Sequence, residues 1–399
     1  MDKHASAAEL VRYGMPYRPV IATRPHLLRR AATFFMQHFP GKTLYAVKAN
    51  DTPEVIEELY RAGIRAFDVA SLTEIQQLKA YDKAELYLMN PVKPRYVISE
   101  AYHNYGVRNF SLDSLDELNK ILEETGNAKD LNLFVRVSCN GKGAQIALDD
   151  KFGVCDEDAY QLLMATRKAA LKLGVAFHVG SQAMVPERYG EALNAVSAMI
   201  AKSGVLPDVI DVGGGFPSVY PGLTPPPLSS YMSMIETAFE KMNVVETCEL
   251  LCEPGRALVA EASSLFVRVE HRKGQHLYIN DGSYGCLHDA AHYGFVFPAR
   301  LVRADGGSLG TLQPFALYGP TCDSADFMPG PFYLPSDVRE GDFIEIGQLG
   351  AYGRVMTTLF NGFGRYEYVE LEDEPIMSMY GTERSVENIE GLVALQKHI

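Results

Sequence analysis

From about residue 20 to 260, short apolar, β-prone runs alternate with stretches whose apolar positions recur at helical spacing. The runs are "TLYAVK", "RAFDVA", "ELYLMN", "VRNFSLD", "LNLFVRVS", "VAFHVGS", "DVIDVGGG" and "CELLCEP". Between them, "PEVIEELYRAG", "LDELNKILEETG" and "ERYGEALNAVSAMIAKSG" read as amphipathic crossover helices. Helices linking successive strands imply parallel pairing. Eight such strands predict a closed (β/α)8 barrel, because an open sheet has no reason to stop at that number.

After Glu253 the texture becomes β-rich and turn-rich, in "SSLFVRVEHRKG", "HLYINDGSYG", "FALYGPTCDS", "GDFIEIGQLGAYG" and "RYEYVEL". This pattern predicts a second, mostly antiparallel β domain. The expected division is a barrel over residues 20–260 and a β domain over 261–399. Residues 1–19 are too short to fold alone and are expected to add a strand to the β domain.

The predicted strands end at Lys48, Asp68, Asn90, Asp113, Arg136, His178, Gly213 and Glu253. In a barrel such edges converge on one mouth, where these folds keep their active sites. Lys48 has two readings: a strand-end lysine that snorkels to solvent, or an amine held for covalent chemistry with a carbonyl. Gly213, Gly214 and Gly215 are either a tight turn or a backbone cradle for phosphate. Glu253 and Arg256 in "EPGR" are either a local ion pair or, for the arginine, a second phosphate ligand. His178 is either a satisfied core residue or a stacking surface for an aromatic ligand.

Composition narrows the classes. A chain of 399 residues with 47% hydrophobic content is globular, and its formal charge of -13 argues against nucleic acid as the main partner. No apolar run is long enough to span a bilayer and the opening residues lack a signal-peptide core, so a cytoplasmic protein without membrane association is expected. The 6 cysteines form no dense framework, which points to free thiols and no metal. A phosphorylated aldehyde would link Lys48 to the glycine motifs. Pyridoxal 5'-phosphate has that chemistry, with Glu253 as an acidic partner for its ring nitrogen.

The motifs "YAVKAN", "FDVAS", "FHVGSQ", "IDVGGGFP", "CEPGR", "YGPTCDSAD" and "LGAYG...LFNGFG" occur in the order seen in fold type III pyridoxal-phosphate decarboxylases. Over about residues 20 to 370 the set resembles the ornithine decarboxylase group. The resemblance implies an alanine-racemase-like barrel followed by a β domain, and a homodimer with shared active sites. It implies that Lys48 is the Schiff-base lysine, that His178 stacks on the cofactor ring, and that Glu253 meets the pyridine nitrogen. Ser181, Gly214, Gly215, Gly255, Arg256 and Tyr352 match the phosphate shell, while Asp68 and Arg136 match positions that orient the lysine and the cofactor. Cys322 matches a proton donor and Asp323 a counter-charge for the distal amine of a dibasic substrate, both given across a two-fold interface. Lys151 and Asp326 fall where the family pairs opposite charges across that interface. Phe360 is expected at the substrate.

The chain departs from the family over residues 282–298, where Asp289 or His292 is the candidate for a second group on the distal amine. Ornithine, lysine and related cationic amino acids stay open as substrates. A barrel racemase typically sets a basic residue against the ring nitrogen, which Glu253 disfavours. Asp323 and "GGGFP" point away from diaminopimelate decarboxylases. A non-catalytic regulatory homologue is disfavoured by Lys48, Glu253 and Cys322.

Overall fold

The computed structural model describes residues 1–14, 17–139, 144–146, 151–244, 246–304, 306–308 and 310–380. They divide into two compact units, one of Ala32–Pro217 and Pro225–Gly255, the other of Met1–Ala31, Ser218–Thr224 and the chain from Arg256 onward.

The first unit is a closed parallel barrel of β1 (Lys42–Ala46), β2 (Ala66–Val69), β3 (Glu85–Leu88), β4 (Asn109–Leu112), β5 (Asn132–Arg136), β6 (Lys172–Ala176), β7 (Val209–Asp211) and β8 (Glu249–Cys252). Each strand pairs with the next in sequence, and β8 closes on β1 with Cys252 opposite Thr43. Burial on both faces explains why the strands read as continuous apolar runs. Leu44, Ala66, Tyr87, Phe134, Ala176, Val209 and Leu251 pack with Met89 into one cluster drawn from every strand except β4. Helices outside are started by local signals: Ser71 and Ser114 accept from the N–H of Glu74 and Glu117, and Pro53 opens the helix Pro53–Ala62.

The sixth strand differs from its expected span. It ends at Ala176, and Gly180, at φ +97°, turns the chain, so His178 lies beyond the strand. Ser181–Ala183 then pairs antiparallel with Ala144–Ile146 in a small ribbon that the apolar pattern does not announce.

The second unit contains a nine-stranded, mostly antiparallel sheet. Its longest strand, Ser263–Lys273, pairs antiparallel with Val20–Thr23, His276–Ile279 and Phe343–Ile346. The opening segment joins this sheet as expected, with Asp2–His4 parallel to Val369–Leu371. Strands Ala299–Val302 and Phe327–Pro335 were not anticipated, since their polar and proline positions blur the alternation. Arg24 is fully buried here and satisfied by Glu345 at 2.9 Å and Asp373 at 2.7 Å. Among the described residues no helix is long and apolar enough to cross a membrane.

Candidate active site

Lys48 owes its place to a tightened strand end. Beyond β1 the chain enters a single 3-10 turn, Val47–Ala49, pinned by the buried Tyr45 hydroxyl donating to the Asn50 carbonyl at 2.7 Å. The Lys48 ammonium does not snorkel away. Its Nζ meets Oδ2 of Asp68 at 2.7 Å, and Asp68 is itself only 3% exposed on β2.

Glu253 lies just past β8 and is almost fully buried, yet its Oε1 has no hydrogen-bond donor among the described residues. Burial raises its carboxyl well above the usual range, and the nearby acids Asp211 and Asp68 add to the shift, against the pull of Lys48 and Arg136. Three carboxyls, of Asp68, Asp211 and Glu253, thus face two basic side chains, of Lys48 and Arg136. That surplus calls for one further positive charge, either a proton or a cationic ligand group.

His178 is held neutral. Burial lowers its pKa, with Arg136 and Lys48 acting in the same direction. Its Nδ1 accepts the Gly180 N–H at 3.0 Å, which places the ring proton on Nε2. Next to it the glycine run leaves no room for side chains. A Cβ at Gly213 would sit 2.1 Å from the Phe177 carbonyl oxygen, and one at Gly214 would sit 2.7 Å from that of Glu253. Gly215 adopts φ +100°, and Tyr189 secures the run by donating to the Gly214 carbonyl at 2.8 Å. Gly255 is equally confined, with the Ala49 methyl 2.9 Å from a would-be Cβ. A glycine run bare of side chains, a neutral imidazole, an amine and an unpartnered buried carboxyl oxygen together fit a phosphorylated pyridine aldehyde.

Arg256 belongs to the second unit, at the head of the helix Arg256–Val259. Its guanidinium donates to the Tyr220 hydroxyl at 2.8 Å and lies 4.7 Å from the Phe295 ring centre and 4.9 Å from that of Tyr352. Asp289, expected at the substrate, has its Oδ2 3.4 Å from Nη2 of Arg256 and is buried. His292 is exposed and lies beside His288, with ring centres 4.4 Å apart.

A separate cluster in the same unit gathers Cys322, Asp323, Tyr284, Phe360 and Asn361. Cys322 is exposed, and its thiol and its backbone N–H both reach Oδ1 of Asn361 at 3.2 Å. Asp323 accepts the Ala325 N–H at 2.9 Å and the Tyr284 hydroxyl, and these donors hold its carboxyl below the ordinary range. Tyr284 in turn packs on Phe360 with ring centres 4.8 Å apart. Neither a buried cysteine nor a simple turn aspartate describes this pair.

The expected Lys151–Asp326 pairing runs between two chains. Within one chain Asp326 is 1% exposed, and each of its oxygens takes two donors: Oδ1 the N–H and hydroxyl of Ser283, Oδ2 the N–H and hydroxyl of Thr321. Lys151 lies over the Phe152 ring at 4.9 Å.

Three residues escaped the sequence reading. Asp211 was passed over as part of a buried strand, although an acid in the apolar run "VIDV" is an anomaly that marks it. Tyr284 and Asn361 lie in glycine-rich turns and carry no signal without their partners.

Residues 25–260 match the model of the family described as pyridoxal-dependent decarboxylase, pyridoxal binding domain. The lysine/ornithine decarboxylase of Selenomonas ruminantium is 31% identical over 353 residues, 86% of this chain and 86% of that protein. Among solved structures, the arginine decarboxylase of Paramecium bursaria Chlorella virus bound to agmatine superposes with a TM-score of 0.80 at 26% identity, covering 90% of this chain and 98% of that one. The lysine/ornithine decarboxylase of Vibrio vulnificus complexed with cadaverine gives 0.78 at 27% identity, covering 93% and 100%.

Proposed function

The chain belongs to the pyridoxal-dependent decarboxylases, and on that premise we propose that it removes the α-carboxylate of a basic L-amino acid, L-ornithine to putrescine foremost and L-lysine to cadaverine beside it. Such products place it in polyamine biosynthesis, and the cytoplasm suits its composition. The observation that carries the substrate class is Asp323, an ionised carboxylate held in place by Tyr284 and open to a cationic group.

When bound, the cofactor supplies a carbonyl that joins amines covalently and a ring that accepts the electron pair left by a departing carboxylate. Lys48 is the amine for that attachment, and Asp68 orients it. Glu253 offers its unpartnered Oε1 to the ring N–H. His178, uncharged, gives a ring face to stack against, and Arg136 orients the cofactor from the neighbouring strand. The amides of Gly214, Gly215 and Gly255 and the hydroxyl of Ser181 are assigned to the phosphate. Arg256, which follows Gly255 in the chain, and Tyr352 share that assignment.

Cys322 is assigned the delivery of a proton to the carbon that has lost carbon dioxide, and Asp323 the distal ammonium, both acting on the site of a second copy in a homodimer. The apolar surface beside them supports this reading, since Leu359, Phe360 and Phe363 are 67%, 42% and 40% exposed. Phe360 then walls the substrate site. Asp289 and His292 are its remaining candidate polar groups, although Asp289 is engaged with Arg256.

The test is carbon dioxide release from ornithine, lysine, arginine and diaminopimelate by the pyridoxal-phosphate-loaded protein. Ornithine and lysine should lead. Preference for diaminopimelate, or release from none of them, rejects the substrate assignment.

A further inference from the structure

We infer that Asp211 and Glu253 form a carboxyl pair that shares one proton in the cofactor-free protein and passes it to the cofactor's ring nitrogen on loading. The inference rests on the assignment of Glu253 to that nitrogen and gives a role to Asp211, which stands in the motif "IDVGGGFP" without one.

The geometry comes from adjacent barrel strands. Asp211 is the last residue of β7 and is 0% exposed. It stands opposite Leu251 of β8, two positions before Glu253. Its Oδ1 accepts the Gly213 N–H at 2.8 Å, and its carboxyl and that of Glu253 act directly on each other. Oδ2 of Asp211 and Oε1 of Glu253 are both buried with no hydrogen-bond partner among the described residues. Two ionised carboxylates cannot bond to each other, because both only accept. A single proton between them supplies the missing donor and removes one of two like charges from a site closed to water.

The surroundings agree. Asp68 adds negative potential to the pair, whereas Lys48 and Arg136 oppose it. Glu74, the next acid beyond Asp68, is tied to the Ala70 N–H. His178 is neutral and brings no charge. Burial pushes Asp211 up to about 6, and Glu253 is pushed well above the ordinary carboxylate range, so both shifts favour a proton on the pair. When an unprotonated pyridine enters, one O–H bond breaks in the pair and one N–H bond forms on the ring. Solvent supplies no proton, and Asp211 is left ionised behind Glu253. Asp211 touches neither substrate nor cofactor and is therefore a positioning residue. Without it, Glu253 faces Lys48 and Arg136 as a lone carboxylate, and the ring proton must come from water.

The experiment is calorimetric loading of cofactor-free wild type and Asp211→Asn in two buffers of different ionisation enthalpy. Each protein is titrated with pyridoxal phosphate and with its 1-deaza analogue, in which carbon replaces the ring nitrogen. Asp211→Asn should take up about one more proton per site than wild type with pyridoxal phosphate, and no more with the analogue. Its preference for pyridoxal phosphate over the analogue should fall about tenfold, the equivalent of one pKa unit. Equal uptake and an unchanged preference in the two proteins overturn the proposal. A wild type that binds both ligands equally removes the Glu253 assignment itself, a distinguishable failure that takes this inference with it. Should the variant not fold, infrared difference spectra of wild type decide. Loading should abolish a protonated-carboxyl band, and a spectrum without that loss rejects the shared proton.

Discussion

The barrel mouth and the Cys322–Asp323 cluster are built on opposite plans. At the mouth, Asp68, Asp211 and Glu253 are nearly sealed from water, and a Cβ on Gly213 or Gly214 would collide with carbonyl oxygens. Around Cys322, the thiol, Asn361 and Phe360 are exposed, and the contacts are hydrogen bonds from side chains and backbone N–H groups to Asn361 and Asp323. A sealed site can shift the protonation of its acids because charge is costly there, whereas an open one leaves Asp323 ionised. The difference teaches a contrast of plan: one region fixes its polar groups by burial, and the other leaves them open to solvent.

The strongest way to break that contrast is to damage each region in a separate chain. Lys48→Ala and Cys322→Ala homodimers should both be nearly inactive, by roughly 10^2 to 10^4-fold, as expected for loss of a nucleophile or a proton donor. After subunit exchange, random pairing makes half of the dimers mixed, each with one intact site, so activity should return to about one quarter of wild type. No recovery, with exchange shown by mass spectrometry, would mean that both residues serve one chain's own site. In the same wild-type preparation, borohydride should fix the cofactor on Lys48 and on no other lysine, as read by peptide mass mapping.

Next in size is Glu253→Gln. It removes the anionic partner of the ring nitrogen while keeping its shape, so kcat should fall by about 10^2-fold or more with cofactor occupancy retained. Near-normal turnover would show that the sealed region does not work through this acid. Asp323→Asn probes the open region. Loss of one charge-assisted bond, worth about 1.5–3 kcal/mol, should raise the KM for ornithine by about 10 to 150-fold, while Tyr284→Phe, which only frees Asp323, should raise it by less than about tenfold. Equal effects of the two substitutions would contradict a positioning role for the tyrosine.

The smallest expected effect is a change of slope. Asp211 holds its proton to about 6 in the folded chain but releases it near the ordinary 3.8 when unfolded. Between those values the folded state binds more protons, so this group makes the cofactor-free protein less stable as pH rises from about 4 to 6. Glu253 extends the same trend upward. Urea titrations across that range should show a shallower decline for Asp211→Asn than for wild type, and parallel profiles would remove the buried acid as the cause.

Much of this was legible in the chain. All eight barrel strands follow from apolar runs, because strands covered on both faces have no polar alternation to confuse them. Lys48, Asp68, His178 and Glu253 stand out in the chain as polar residues at or just beyond the ends of apolar strand runs. Three further features were not. Asp211 is significant only through Glu253, from which it is separated by 42 positions in the sequence and by one strand spacing in the barrel. Tyr284 and Asn361 act through partners that only the fold of the β unit supplies. The burial of Asp326 is not legible because a charged side chain in a turn reads as exposed, whereas four neutral donors converge on it.

That convergence bears on how the chain can change over time. Asp326 ties the segment carrying Cys322 and Asp323 to Ser283, while Gly282 and Gly319 crowd against it so closely that a Cβ on either would lie 2.1 or 2.2 Å from its Oδ1. The knot therefore lies beside the reactive pair and is independent of the pair's identity. Exchanging the aspartate at position 323 gives up its bonds to Ala325 and Tyr284 but leaves the four donors on Asp326 holding the segment. The tied carboxylate has no such freedom, because replacing it would strand four donors at once. A lineage exploring new substrates would be expected to vary the exposed residue and keep the hidden one.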